Sequence, residues 1–185
     1  MAGIVLLAVG LAVVLWFMAA YNQLVRQRQE VKSAWSQIDV QLKRRHDLIP
    51  NLVESVKGYM THERETLENV IKARTQAVSA TGLQDKVQAE NMLTQSLRSL
   101  FAVWERYPDL KANQNVMSLQ EELTSTENRI SFARQFYNDQ AMRLNTSIES
   151  VPTNIVAGLT GFARVEFFEI EDPAHREVPT VQFKT

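Results

Sequence analysis

Cysteine is absent from the chain, which excludes disulfide frameworks, thiolate metal sites, thiol nucleophiles and anchoring through a lipoprotein-type cysteine. Only six glycines and five prolines occur in 185 residues, and they are clustered, which leaves room for long unbroken helices. Neither charge is in excess. The 20 basic and 21 acidic residues give a net charge of -1, so no overall positive field exists to hold phosphates, and nucleic acid is not an expected partner. The motifs of chemistry are missing too: no glycine-rich phosphate loop, no GxSxG elbow, no HExxH and no paired ExxH. The three histidines, His46, His62 and His175, lie on separate segments, and His62 with Glu65 is a single helical pair without the further ligands a metal needs. No catalytic, cofactor-binding or metal-ligating residue is therefore assigned, no cofactor is expected, and the chain reads as a non-enzyme.

What the sequence does contain is hydrophobic periodicity. With 45% hydrophobic residues, 185 residues can bury one domain's core, and they are too few for two ordinary domains plus a membrane segment. The longest pattern runs from Val116 to Ile148, where Leu119, Leu123, Thr126, Ile130, Ala133, Tyr137, Ala141 and Leu144 recur at steps of three or four, the spacing of one helix face. A helix of that length needs partners of similar length to bury its stripe.

The first stretch, residues 2–20, carries no charged residue and reads as an uncleaved transmembrane anchor, with Trp16, Phe17 and Tyr21 where one interfacial aromatic belt falls. A cleaved signal peptide is the competing reading, but no Lys or Arg precedes the run, and Met18, Ala19 and Ala20 make a feeble cleavage signal. Arg26, Arg28 and Lys32 follow the run, so the positive-inside tendency puts the N-terminus outside and the bulk of the chain in the cytoplasm. The alternative is a periplasmic or extracellular bulk.

Beyond the membrane, Leu24, Val31, Trp35, Ile38, Leu42, Ile49, Leu52, Val56 and Tyr59 continue a helical stripe, interrupted by Arg45 and by Pro50. The stripe keeps its phase across Pro50, which predicts a kink near His46 to Ile49 within one helix. Thr61 is the expected N-cap of a second helix with Glu63 and Glu65 in its first turn and Leu67, Val70, Ile71, Arg74 and Val78 as its stripe, ending at Thr81-Gly82. A third helix is expected from about Gln84 to Tyr107, its inner face made by Val87, Leu93, Leu97, Leu100, Phe101 and Trp104, with Pro108 ending it and a turn-rich connection to Asn115. Short connections between such helices favour antiparallel neighbours. The expected fold is all-α: residues 1–20 an anchor, 21–148 an elongated antiparallel, coiled-coil-like bundle of about four long helices, and 149–185 an apolar, aromatic segment with an extended tail.

The basic run Lys43, Arg44, Arg45, His46 has two readings, a site for anionic lipid or an acidic partner, and a solvated face paired with Asp39, Asp47 and the acidic helix that follows. Distance from the bilayer favours the second. Polar residues within the central helix, including Glu122, Thr126, Asn128, Arg129, Arg134, Asn138 and Asp139, cannot all face water. Arg45, Glu122, Asn128, Arg129 and Asn138 are read as a structural polar network, with Arg45 and Arg129 paired to carboxylates such as Glu122. A groove for a partner helix is the other reading.

The central run Ser118-Leu-Gln-Glu-Glu-Leu-Thr-Ser-Thr-Glu-Asn-Arg-Ile-Ser-Phe-Ala-Arg-Gln-Phe-Tyr-Asn-Asp139 resembles the signature of the LemA family of bacterial membrane-anchored helical proteins. Tyr21-Asn22 with Leu24-Val25, the stretch from Ala34 to Arg45, Asp47-Leu48-Ile49-Pro50-Asn51-Leu52-Val53, Tyr107 to Asn113, and Pro179 with Phe183 are similar to it as well, in the same order. The resemblance implies a single N-terminal anchor and a long helical domain, in keeping with the independent reading. No catalytic residues carry over, and the family's links to membrane proteases, envelope stress and organelle membranes vary among relatives. Some relatives carry a lipoprotein cysteine that this chain lacks.

After Glu149 the apolar run Ile155, Val156, Ala157, Gly158, Leu159, Gly161, Phe162 is too short to span a bilayer and is followed by Phe167 and Phe168. Packing over the end of the helices is one reading, and an exposed patch against membrane surface or subunit is the other. Val181 and Phe183 alternate with polar residues, as in a short strand that docks on a neighbour. Arg44, Arg45, Phe162, Phe167, Phe168, Val181 and Phe183 are the interaction candidates. The functional expectation is a single-pass bacterial plasma (inner) membrane scaffold that contacts lipid through residues 2–20, forms a homo-oligomer and organises membrane or partner proteins. The alternative is a one-to-one adaptor of a membrane enzyme such as a protease.

Overall fold

The computed structural model describes residues 1–168, which hold six helices and no strand among them. The first, α1, is a single helix over Ala2–Lys57. Its leading apolar stretch includes an 18-residue window with no buried residue, long and apolar enough to cross a membrane. Burial begins at Ala20 and then follows Leu24, Val31, Ala34, Ile38, Leu42, Ile49, Leu52 and Val56 along one face. The anticipated stripe thus holds to Val56, while Tyr59 lies outside the helix, exposed, and Met60 is buried in its place.

Pro50 sits inside α1 without breaking it. Proline has no N–H, so the carbonyl of His46 loses its intrahelical donor. Arg74 supplies another, its Nε donating to the His46 carbonyl oxygen at 2.6 Å. Arg74 belongs to α2, Arg64–Ser79, and was read in the sequence as part of an apolar stripe. The buried face of α2 is instead Leu67, Val70, Ala73 and Ala77, with Ile71 and Val78 exposed. Ala73 and Ala77 are small enough to let α2 lie close to α3, and this outweighs the larger Ile71 and Val78 beside them. The start of α2 is also corrected: Glu63, not Thr61, is the N-cap, and no side chain caps it.

Gly82, in the left-handed region at φ 86°, turns the chain into α3, Leu83–Trp104. Its inner face is as anticipated, with Val87, Leu93, Leu97, Leu100 and Trp104 buried and Phe101 partly so, but Glu90 is buried on it too. Pro108 does not lead into a plain turn. It opens a short helix, α4, Pro108–Ala112, occupying the first-turn position that proline tolerates best. Asn113 then caps α5, Gln114–Glu149, its Oδ1 accepting from the amides of Asn115 and Val116. The last helix, α6, is Thr153–Thr160.

The longest contact is between α1 and α5, with α2 and α3 forming a second pair. Side chains fix the relative direction of α1 and α5. Asn113 Nδ2 donates to Tyr59 Oη at 3.3 Å, Arg44 binds Glu122, Trp35 packs on Tyr137 with ring centroids 5.6 Å apart, and Ala20 shares a cluster with Leu144. As one chain number rises the other falls, so the two run antiparallel.

The apolar interior has two parts. A distal core joins Ile49, Leu52, Val56 and Met60 to α2, α3, Leu110 of α4, and Val116 and Leu123 of α5. A proximal core joins Ala20, Leu24, Val31, Ala34, Ile38 and Leu42 to Ile130, Tyr137, Ala141 and Leu144, with Val156, Ala157 and Phe168.

Candidate functional site

Between the two cores lies a polar layer. On α1 it falls between Leu42 and Ile49, on α3 between Val87 and Leu93, and on α5 between Leu123 and Ile130. Arg45, on the buried stripe of α1, points into it and binds Glu90 through Nη2 and Glu127 through Nη1, with Thr94 Oγ1 accepting at 3.0 Å. His46 Nε2 lies 2.7 Å from the other Glu90 oxygen. Burial pushes the Glu90 carboxyl up, but the His46 hydrogen bond and the Arg45 guanidinium outweigh it and hold the group below the usual glutamate range. A second guanidinium, that of Arg134, is buried nearby without an ion pair among the described residues. Among the described residues its Nε and Nη2 have no hydrogen-bond partner, and its face lies 4.4 Å from the Phe168 ring centroid. Burial, followed by the charge of Arg45, lowers its pKa to about 10.

This layer corrects the anticipated polar network. Arg45 does belong to it, but its partners are Glu90, Glu127 and Thr94; Glu122 instead takes Arg44, Nη2 to Oε1 at 2.6 Å, at the half-exposed surface. Arg129 and Asn128 are exposed, and Arg129 makes no ion pair among the described residues. The basic run divides between the two readings given for it: Lys43 pairs with Asp47 in solvent, Arg44 with Glu122, and Arg45 and His46 turn inward.

Asn138 has a different role from the one expected. Its Nδ2 donates to the Phe168 carbonyl at 3.0 Å, and its Oδ1 accepts from the Phe168 amide at 2.7 Å. Asn145, two helical turns later, holds Val165 in the same two-bond manner, both at 2.9 Å, and Tyr137 Oη donates to the Glu166 carbonyl at 2.9 Å. Two asparagines seven residues apart thus clamp residues 165–168 along α5 as a neighbouring strand would. Phe168 is completely buried against Trp35 and Arg134, so it is part of the core and presents nothing to a partner. The same correction applies to Arg45. Phe162 is half-buried against Tyr21 and Arg28, Phe167 is exposed, and Val181 and Phe183 lie outside the described residues, as does His175.

One exposed surface involves none of the anticipated interaction residues. On the exposed side of the α1–α5 pair, Val40, Phe132 and Phe136 are 62%, 71% and 43% exposed and line an open groove of about 550 Å³ together with Ser33, Ser36 and Ala133 and the polar Gln37, Gln41 and Arg129. Phe132 and Phe136 are four apart on α5, one turn, and small residues between them and Val40 leave the cleft open. Aromatic side chains of this size are seldom left in water on a helix whose other face is packed. The sequence shows only that both phenylalanines lie off the Ile130–Tyr137 stripe; that they meet Val40 follows from the pairing of α1 with α5.

Among the described residues no cluster of three or more histidines and carboxylates has the proximity to hold a metal ion.

Against known proteins, the LemA family model matches residues 34–183. Protein LemA of Metamycoplasma hominis is 26% identical over 164 residues, covering 88% of this chain and 75% of that protein. Magnetosome protein MamQ 1 of Paramagnetospirillum magneticum is 26% identical over 180 residues, covering 83% of this chain and 66% of its own length. Magnetosome protein MamQ of Magnetospirillum gryphiswaldense is 24% identical over 180 residues, with the same two shares, so this chain spans just under two thirds of the MamQ proteins.

Proposed function

Because the chain belongs to the LemA family, and because its charged interior is spent on its own packing while an aromatic groove stays open, we propose that it is a membrane-anchored helical scaffold, without catalytic activity, that self-associates and organises membrane or partner proteins. The observation that carries this reading is the groove of Val40, Phe132 and Phe136. Anchored by the start of α1, the antiparallel helices form an elongated bundle; residues 21–57 of α1 alone extend about 55 Å at 1.5 Å per residue. Copies held in one bilayer stand side by side, and a groove that runs along the helices is then presented to a neighbour of the same height. Burying two phenylalanines and a valine per copy contributes roughly 1.5–3 kcal/mol for each side chain fully covered. In a bacterial inner membrane, Arg26, Arg28 and Lys32 beside the span favour a cytoplasmic bundle. Relatives named as magnetosome proteins are components of a cellular structure by name, which supports an organising role.

The absence of native cysteine makes the test clean. Phe132→Cys in the full chain, reconstituted in nanodiscs and treated with a short bifunctional maleimide, is expected to give a covalent dimer, whereas Ile71→Cys, on the exposed side of α2, gives none. Equal or absent cross-linking at the two positions would remove the groove from consideration.

A one-to-one adaptor of a membrane enzyme is the second reading, favoured by the half-exposed Arg44–Glu122 pair, which a charged partner can reach. Arg44→Glu is the appropriate probe of it. Arg45, being buried, tests folding instead.

A further inference from the structure

We propose that α6 is a second membrane contact: its outward face lies in the headgroup layer of the same leaflet from which α1 emerges, so that the protein stands on the bilayer at two places. This rests on the reading of residues 2–20 as a membrane span. Between Glu149 and Arg164 the sequence carries no charge. Within that stretch α6 divides its side chains. Val156 and Ala157 are buried in the proximal core with Ala20 and Leu24 of α1, and Phe17 packs on the same cluster. Ile155 and Leu159, one turn apart, remain 57% and 74% exposed, and Val151 in the turn before the helix is 79% exposed.

Position decides what covers them. Ala20 closes the apolar run of α1 and is also its first buried residue, so protein packing begins where the span ends. Leu24 is one turn further, about 6 Å along the axis. The headgroup region beyond each face of the hydrocarbon core is itself about 5–8 Å deep. Helix α6 touches α1, and Phe162, two residues past its end, meets Tyr21, the residue after the span, which brings the helix end to that level. Its surroundings are those of an interfacial element. Tyr21 stacks edge-on with Phe162 at 6.0 Å, Arg28 lies 4.9 Å over the same ring, and Arg26 is exposed, a cation that can reach back to lipid phosphates. Gly161, in the left-handed conformation at φ 73°, ends α6 and returns the chain along α5. The chain thus descends to the surface, runs across it for one short apolar helix, and leaves. A second copy is a weaker occupant, because two aliphatic side chains on an eight-residue helix and a third in the turn before it are a small protein interface, whereas the bilayer is already at hand.

The test uses nitroxide labels on single cysteines in the full chain in nanodiscs, at Leu159→Cys, at Leu11→Cys in the span and at Ile71→Cys on distal α2. Collision rates with oxygen and with a water-soluble nickel chelate are measured at each. The Leu159 label is expected to show an oxygen-to-nickel ratio several-fold above that of Ile71 and below that of Leu11. A Leu159 ratio equal to that of Ile71, with Leu11 in lipid, overturns the inference and leaves the anchor standing. Shielding of Leu159 from both reagents shows a protein cover and also overturns it. A Leu11 label that behaves as in water removes the anchor and this inference together.

Discussion

Arg45 and Arg134 are two guanidinium groups buried near one another with opposite bookkeeping. Arg45 has Glu90, Glu127 and Thr94 around it and only its Nε without a partner, whereas among the described residues Arg134 has the Phe168 ring and two nitrogens without a hydrogen-bond partner. Removing one member of a buried ion pair strands the other, at about 3–5 kcal/mol, whereas a buried charge without a partner recovers little of its desolvation cost, so an apolar chain of similar volume in its place loses little. Arg45→Met is therefore expected to destabilise by about 3–5 kcal/mol and Arg134→Met to change stability by less than about 1 kcal/mol, measured by denaturant unfolding followed by circular dichroism. Equal losses would contradict the assignment. Glu90 gives the pH dependence. Its carboxyl is held below the ordinary value of 4.5 in the folded chain, so above that pH both states are ionised and its stabilisation is fully present. As pH falls below 4.5 the unfolded chain takes up the proton first, and the stabilisation is lost progressively down to the folded-state pKa. Glu90→Gln is expected to lower stability at neutral pH and flatten the decline in acid; a decline of unchanged steepness would assign it to other carboxylates.

Helices α1, α3 and α5 could be followed in the sequence because large apolar residues mark their buried faces every three or four positions. The phase of α2 could be followed only through Leu67 and Val70, since its contact face continues with Ala73 and Ala77, which carry little hydrophobic signal beside Ile71 and Val78. Glu90 and Glu127 were missed for a related reason: which carboxylate reaches Arg45 depends on how three helices are set against one another, and spacing along one of them does not contain that. The seating of residues 165–168 was hidden because the asparagines bind backbone groups, which every sequence offers. Each clamp is open to test. Asn145→Ala leaves the Val165 amide and carbonyl unpaired, a loss of about 1–3 kcal/mol for groups shielded from water, and hydrogen exchange at Val165 should accelerate while Phe168, held by Asn138, changes less. Uniform acceleration would mean that the segment is held by Phe168 packing alone. The Pro50 position supplies a cycle. Pro50→Ala restores an N–H for the His46 carbonyl, so Arg74→Met should cost about 1–3 kcal/mol with proline present and measurably less with alanine.

At the scale of the molecule, one 56-residue helix joins the apolar span to the distal core, and α5 returns along it. Two apolar cores are separated by the Arg45 layer, which fixes the register of α1, α3 and α5 and so sets where the outer face of α5 lies. That face carries Phe132 and Phe136 beside Val40, and self-association through it is the central proposal. Family membership and the helical class could be read from the ordered motifs and the periodicity; the groove could not, because it exists only once α1 and α5 are side by side. The most direct measurement is the mass of the full-length protein in nanodiscs beside the Phe132→Ser, Phe136→Ser double variant. A discrete multiple of the protomer mass that falls to one protomer in the variant, with helix content unchanged, is the predicted result. A single protomer in the natural chain, or an assembly indifferent to the two substitutions, would contradict it.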